Sequence, residues 1–386
     1  MAVNKTLHPG FAYCNVEKIG DFFMFAQDNI DFMCPVSVMF EADEKFSFAR
    51  EPVLRRMPDG TLVSLLYTGG NKEPHPENVV AVTRSYDDGE TWSKPEIIFQ
   101  HPFRACWGTE LFTGGDLPFI VFQTFSVDTD YCELRAFISF TRDNGKTWSE
   151  PCTIQGVPPN FTVRQGRILS DGSWIFPIYH QETNSQWQGS LMKDISCRKK
   201  WRFVCGVIKS TDGGKTFSYH GYIHHPADCH HWEPDITELE NGHLLMYIRC
   251  ESPENVLWQS ESFDYGKTWS NSVPTDIPSA GSKEMICDIE GRKVMFFNHV
   301  TPDAVNRNTL AAWTSSDNCK TWYRKNVIAK LNDYTGELEE MYKGKIHPVQ
   351  VAYPHVFADN EKRLVYLAID SVYKFYLLKI PFDELI

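Results

Sequence analysis

An eight-residue pattern, Ser/Thr-x-Asp-x-Gly-x-Thr-Trp, constrains this chain more than any other feature, because it occurs five times. The first copy is Ser85-Tyr86-Asp87-Asp88-Gly89-Glu90-Thr91-Trp92, and the others run from Thr141 to Trp148, Ser210 to Phe217, Ser262 to Trp269 and Ser315 to Trp322. Phe217 replaces the Trp of the third copy and Cys319 the Gly of the fifth. The central aspartates 87, 143, 212, 264 and 317 are spaced by 56, 69, 52 and 53 residues, the size of one supersecondary unit. A short carboxylate accepts backbone N–H groups two residues on, Gly takes a left-handed conformation, and Thr-Trp re-enters a strand with a large ring to bury. The octamer therefore reads as a turn between strands, with a folding role rather than a catalytic one.

The rest of the grammar agrees. Asp-Gly, Asn-Gly and similar pairs between apolar runs mark hairpins. Six such turns occur, at Pro58 to Thr61, Gly114 to Asp116, Ser170 to Gly172, Glu240 to Gly242, Glu290 to Arg292 and Asp359 to Glu361. The first five are each followed by an octamer and the last by an apolar strand, Tyr373 to Ile380. Helical periodicity is weak, with one short helix expected near Leu331 to Tyr342. Six antiparallel four-stranded units in a chain without α/β alternation predict an all-β, six-bladed β-propeller spanning residues 49–386 as a single domain. Residues 1–48 are expected to supply an outer strand that closes the ring; a seventh blade built from them is the less favoured alternative.

Composition narrows the partners. The formal net charge of -12 argues against nucleic acid or an anionic membrane surface. No run of 18 apolar residues and no apolar core of signal-peptide length is present, so a cytoplasmic protein without membrane insertion is expected. Eleven cysteines, an odd number with no Cys-x-x-Cys pair, suggest reduced thiols rather than a disulfide framework or a zinc ribbon. No cofactor is called for, and the oligomeric state is not specified by these residues.

In a propeller the innermost strands run along the axis, and residues at the start of each converge on a central funnel. Aligning the units on Pro52, Pro234 and Pro354 superposes Arg50-Glu51-Pro52, Trp232-Glu233-Pro234 and Ala352-Tyr353-Pro354. The second unit offers Trp107, the third Arg164 or Arg167, and the fifth Lys283 or Glu284. Arginines, glutamates, a tyrosine and a tryptophan suit an anionic, polyhydroxylated ligand. The run from His224 to His231 invites a metal reading. Adjacent histidines on a strand face opposite ways, so a loop with substrate contacts, including His231, is preferred and no metal is assigned.

The octamers resemble the Asp boxes, or bacterial neuraminidase repeats, of sialidases, and the resemblance covers the chain from Phe48 onward. Phe48 to Leu54 with Pro58 to Leu62 is similar to the Arg-Ile-Pro segment whose arginine binds the substrate carboxylate, which implies that role for Arg50. Glu233-Pro234 through Arg249 resembles the segment of the catalytic glutamate and second arginine; Arg307 falls where the third arginine is expected; Ala352-Tyr353 resembles the segment of the tyrosine nucleophile. The family's acid/base aspartate belongs to a loop that here reads Gly69 to Asn78 and has no aspartate. Glu73 sits closest to the expected distance, with His75 and Glu77 nearby. Glu51 replaces the Arg-Ile-Pro isoleucine, and His355 follows Tyr353 at i+2.

The chemistry explains the residue types. Sialic acid carries a carboxylate on its anomeric carbon, which repels a carboxylate nucleophile; a phenol avoids that repulsion. Free tyrosine titrates at ~10, so an adjacent glutamate must take its proton. The resemblance thus implies an exo-acting, retaining sialidase-type glycosidase acting on an acidic oligosaccharide or glycoconjugate, the tyrosine route being a known exception to the two-carboxylate scheme. In this scheme Tyr353, Glu233, Glu73 and Glu51 are the candidate catalytic residues. Arg50, Arg249, Arg307, Arg164, His75, Trp107, His231 and His355 are the candidate substrate-binding residues. Two alternatives stay open: a lyase or rhamnosidase acting on uronate-containing glycans with His75, His231 or His355 as base, and a non-catalytic glycan-binding propeller.

Overall fold

The computed structural model describes residues 25–27, 29–127, 133–183, 201–224, 230–250, 254–300, 307–332 and 349–386. It is a six-bladed β-propeller of antiparallel sheets. The first blade is Ala49–Arg56, Leu62–Thr68, Val79–Ser85 and Glu96–Phe99, ordered from the axis outward. The second has Ala105–Phe112, Phe119–Phe125 and Arg135–Phe140, its fourth strand reduced to one bridge between Ile138 and Cys152. In the third, a broken inner strand, Phe161–Val163 and Arg167–Ile168, pairs with Trp174–Thr183, followed by Trp201–Ser210 and Ser218–Tyr222. The fourth comprises His231–Glu240, His243–Cys250, Val256–Ser262 and Val273–Pro278.

The last two blades recruit the start of the chain. Met285–Ile289, Arg292–Asn298, Thr309–Ser315 and Arg324–Leu331 form the fifth, extended at its outer edge by Ile30–Phe32 and Phe25–Gln27. The sixth is Ala352–Asp359, Leu364–Asp370 and Lys374–Pro381, with Val36–Glu41 as its outer strand. Leu331 ends a strand, and most of the helix expected beside it lies outside the described residues.

Apolar residues on the two faces of each sheet pack into six clusters, one between each pair of neighbouring blades. All six predicted hairpin turns join the first and second strands of a blade, and all five octamers follow the third. In each octamer the aspartate is the hub. Asp87 Oδ1 accepts from the Ser85 hydroxyl at 2.8 Å and the Thr91 amide at 2.9 Å, while Oδ2 takes the Thr91 hydroxyl at 2.5 Å. Two consecutive left-handed residues make the turn, such as Asp88 and Gly89 at φ 61 and 89. In the fifth copy Asn318 and Cys319 adopt them at φ 59 and 63, and the Cys319 amide still donates to Ser315 Oγ at 3.0 Å. The register of the first blade places its turn and octamer at one end of the ring and Arg50, Glu51 and the Gly69 to Asn78 loop at the other.

Candidate active site

At the end of the ring opposite the octamers lies a cavity of about 220 Å³. Its charged half is Arg50, Glu51, Glu73, Glu233, Arg249, Arg307 and Tyr353, and its apolar half includes Tyr67, Trp107, Tyr179, Phe203 and Trp232. Three blades build it by one device. In the inner strands of the first, fourth and sixth blades, pairing shifts by one residue between Arg50 and Val53, Trp232 and Asp235, and Ala352 and His355. Each bulge holds a left-handed residue followed by proline: Glu51 at φ 48, Glu233 at φ 44 and Tyr353 at φ 53. Non-glycine residues there cost about 1–3 kcal/mol each, and such strain concentrates where a side chain must be aimed. All three side chains line the cavity.

The charges are tightly paired. Arg50 Nε donates to Asp370 Oδ2 at 2.9 Å, and Arg50 Nη1 lies 3.3 Å from Glu73 Oε1. Asp370, fully buried, also accepts the Glu51 amide at 3.2 Å, so one carboxylate holds Arg50 and the bulge beside it. Arg249 Nη1 donates to Glu233 Oε2 at 2.9 Å. Arg307 Nη1 donates to the Tyr353 hydroxyl at 3.2 Å and Nη2 to the Gly281 carbonyl at 2.8 Å. The guanidinium carbons of Arg307 and Arg50 lie 4.9 and 5.2 Å from the Tyr353 ring centre. Arg164 Nη1 donates to Glu51 Oε2 at 3.1 Å, its guanidinium 5.7 Å from the Trp107 ring.

These pairings separate the two buried glutamates. Burial pushes the Glu233 carboxyl up, but Arg249 and Arg164 together outweigh it and hold its pKa down at about 2. For Glu51 burial prevails, helped by the charge of Glu233 and opposed by Arg164, and its pKa is raised. Burial also raises the Tyr353 phenol, against the pull of Arg307.

The candidates fall into three groups. Arg50, Glu51, Glu73, Trp107, Glu233, Arg249, Arg307 and Tyr353 surround the cavity. Arg164 is 1% exposed and stands behind Glu51. The histidines lie elsewhere, and among the described residues none lines the cavity. The strand is not regular at Tyr353, and the bulge sends His355 into the interior, where Nδ1 accepts the Leu54 amide at 3.1 Å and faces Arg55. Burial, followed by the charge of Arg55, drives its pKa well below the ordinary imidazole value. His231 is buried, its ring 5.4 Å from that of Trp258. His75 belongs to the rim loop, with Nδ1 accepting the Glu77 amide at 3.2 Å. Residues 225–229 of the histidine run lie outside the described residues, among which no group of three or more His, Cys, Asp or Glu is placed to hold a metal ion.

Sequence reasoning passed over Asp370 and Tyr67. The register shows the signal that would have found them. Arg50 pairs with Tyr67, Trp232 with Arg249, and Ala352 with Asp370, so the last turn of the second strand faces each bulge. Tyr67 does further work: its hydroxyl donates to Asn78 Oδ1 at 2.8 Å, and Asn78 accepts the His75 amide at 2.6 Å and donates to the Lys72 carbonyl at 3.0 Å. The loop carrying Glu73 is thereby tied to the cavity wall.

Similarity to known proteins agrees with this architecture. Residues 60–366 match the family described as BNR repeat-like domain. A sialidase of Bacteroides fragilis (strain YCH46) is 22% identical over 337 residues, 77% of this chain and 58% of that protein. A sialidase of Paraclostridium sordellii is 23% identical over 252 residues, 58% of this chain and 57% of that protein. The chain thus spans under two thirds of the length of either relative. Among solved structures, the Hadza microbial sialidase Hz136 superposes with a TM-score of 0.68 at 16% identity, covering 91% of this chain and 69% of that one. The intramolecular trans-sialidase from Ruminococcus gnavus does so at 0.62 and 14%, covering 90% and 98%. With five octamers, six blades and a family match over most of its length, the chain belongs to the BNR repeat-like domain family, and its fold is the propeller of the sialidases.

Proposed function

We propose that this protein is an exo-acting retaining glycosidase of the sialidase type, which cleaves a terminal acidic sugar from a glycan. The observation that carries the reading is the setting of Tyr353. Its hydroxyl is held by Arg307, two guanidiniums flank its ring, and Glu233 and Arg249 share its cavity. The sialidases among its relatives, including a leech intramolecular trans-sialidase solved with 2,7-anhydro-Neu5Ac, support an acidic sugar as the ligand.

In this mechanism Arg50, Arg249 and Arg307 receive the sugar carboxylate, each charge-assisted contact contributing about 1.5–3 kcal/mol. A carboxylate that draws Arg249 away from Glu233 weakens the strongest of the interactions that depress the glutamate, which then accepts the phenol proton as Tyr353 Oη bonds to the anomeric carbon. Arg307 stabilises charge developing on that oxygen. The glycosidic C–O bond breaks with its electron pair on the leaving oxygen, which takes a proton from Glu73, itself protonated from solvent once the sugar carboxylate has taken its place beside Arg50. Glu73 suits this role because it sits on the rim loop with its side chain 21% exposed, where the leaving group must exit. Water, deprotonated by Glu73, then displaces the tyrosine oxygen from the anomeric carbon, Tyr353 Oη recovers its proton from Glu233, and the anomeric configuration is restored.

Hydrolysis of a fluorogenic sialoside tests the reading. Tyr353→Phe is expected to lower kcat at least ~100-fold, the scale of losing a reacting group. Undiminished turnover in that variant would exclude the tyrosine mechanism.

A further inference from the structure

One charged residue aimed into the cavity has no part in this mechanism. Glu51 shares the left-handed bulge of Glu233 and Tyr353, and its backbone amide is held by the same Asp370 that fixes Arg50. It is 7% exposed, on the cavity wall rather than the rim, so it faces the part of a bound sugar that stays inside. Arg164 takes one oxygen, Oε2. Arg164 is itself 1% exposed and backed by Trp107, and an arginine so buried requires a counter-charge. The pair is therefore a carboxylate on the cavity wall, anchored through Oε2.

We infer that Glu51, positioned by Arg164, determines specificity by accepting a hydrogen bond from a hydroxyl or ammonium group on the inner face of the bound sugar acid. This rests on the cavity being a sugar-acid site, but not on the chemistry assigned to Tyr353. A fixed carboxylate oxygen in a dry wall rewards a donor and penalises an acyl or deoxy substituent at the same place, because the carboxylate is then left unpaired. The substrate class is a 2-keto sugar acid bearing a free hydroxyl or amine where it meets Glu51.

Calorimetric binding to the Tyr353→Phe protein tests this without turnover. The probes are N-acetylneuraminic acid, its 5-hydroxy and 4-deoxy counterparts, and the 5-amino form as its methyl glycoside, in the Tyr353→Phe background with and without Glu51→Gln. The amide oxygen of the replacement goes to Arg164 and its N–H₂ to the cavity, exchanging an acceptor for a donor. One single-group change in the ligand is expected to alter Kd by about tenfold or more with Glu51 present and by less than about twofold in the Glu51→Gln protein, the size of a charged hydrogen bond. If Glu51→Gln does not fold, Glu51→Asp withdraws the carboxylate by one methylene, keeps the charge for Arg164 and is read against the same expectation. Affinities that change in parallel in both proteins, or no binding of any probe, overturn the inference. Probe-dependent binding coupled to Glu51, together with no sialoside hydrolysis by the wild-type protein, sustains it and sinks the glycosidase reading instead.

Discussion

Glu233 has two competing demands at the residue scale. In the free protein it is an ion-pair partner of Arg249 with its pKa at about 2; as the base of the proposed mechanism it would take a proton from a phenol whose pKa burial has raised. Substrate binding reconciles them if the sugar carboxylate competes for Arg249. Two outcomes follow. Glu233→Gln is expected to lower kcat by roughly 10²–10⁴, the range for a general base. In the pH profile of kcat/KM, which reports the free enzyme, the depressed pKa keeps Glu233 ionised above about 3, so it adds no acid limb between about pH 4 and 8. Arg249→Met removes the largest depressing charge and is expected to move such a limb upward into that window, read from rates across it.

The octamers act at the scale of the element, and their chemistry is the same in every copy. Hydrogen bonds from Thr91, Thr147, Thr216 and Thr321 hold Asp87, Asp143, Asp212 and Asp317 at a pKa of about 2. For Asp264 burial opposes the Thr268 bonds without outweighing them, and it too is lowered. A carboxylate depressed in the fold contributes stability that is complete above the unfolded value of about 3.9 and is lost as pH falls through about 2. The expected result is a melting temperature that falls steeply between about pH 4 and 2. Asp87→Asn should shallow that fall while lowering the melting temperature at neutral pH, with sialoside turnover there retained, because the octamers sit at the far end of the blades. An acid slope unchanged by the substitution would contradict the hub role of the aspartate.

At the scale of the molecule, the ring depends on residues far apart in the chain. Arg50 and Asp370 are 320 positions apart, yet their ion pair holds the cavity wall. The strand Val36–Glu41 covers the outer edge of Lys374–Pro381, an edge that would otherwise present unpaired backbone groups. Met39 and Phe40 are buried in the cluster between the sixth and first blades, with the Phe40 ring 5.6 Å from Phe375. Phe40→Ala is expected to cost about 3–5 kcal/mol in denaturant unfolding. Because the same cluster backs the strand that carries Arg50, sialoside KM should rise as well; an effect below ~1 kcal/mol would mean that the outer strand is not part of the cooperative unit.

The sequence by itself determined the repeat, the blade count and the register, because turn chemistry is local: an Asp-Gly hairpin or an Asp-hubbed octamer needs only its own residues. The alignment on Pro52, Pro234 and Pro354 brought out Glu51, Glu233 and Tyr353 for the same reason, since the same bulge recurs in the first, fourth and sixth blades. What only the tertiary structure decided was pairing across blades. Asp370 with Arg50, Arg164 with Glu51 and Arg307 with Tyr353 join residues that no local signal connects. His355 shows the limit in one residue: at i+2 on a regular strand it would have shared the cavity with Tyr353, but one extra residue in the bulge broke the alternation and left it beneath the site, against Leu54 and Arg55. The first octamer marks where a blade turns; the electrostatics that make the opposite end of the ring a site arise only when the ring closes.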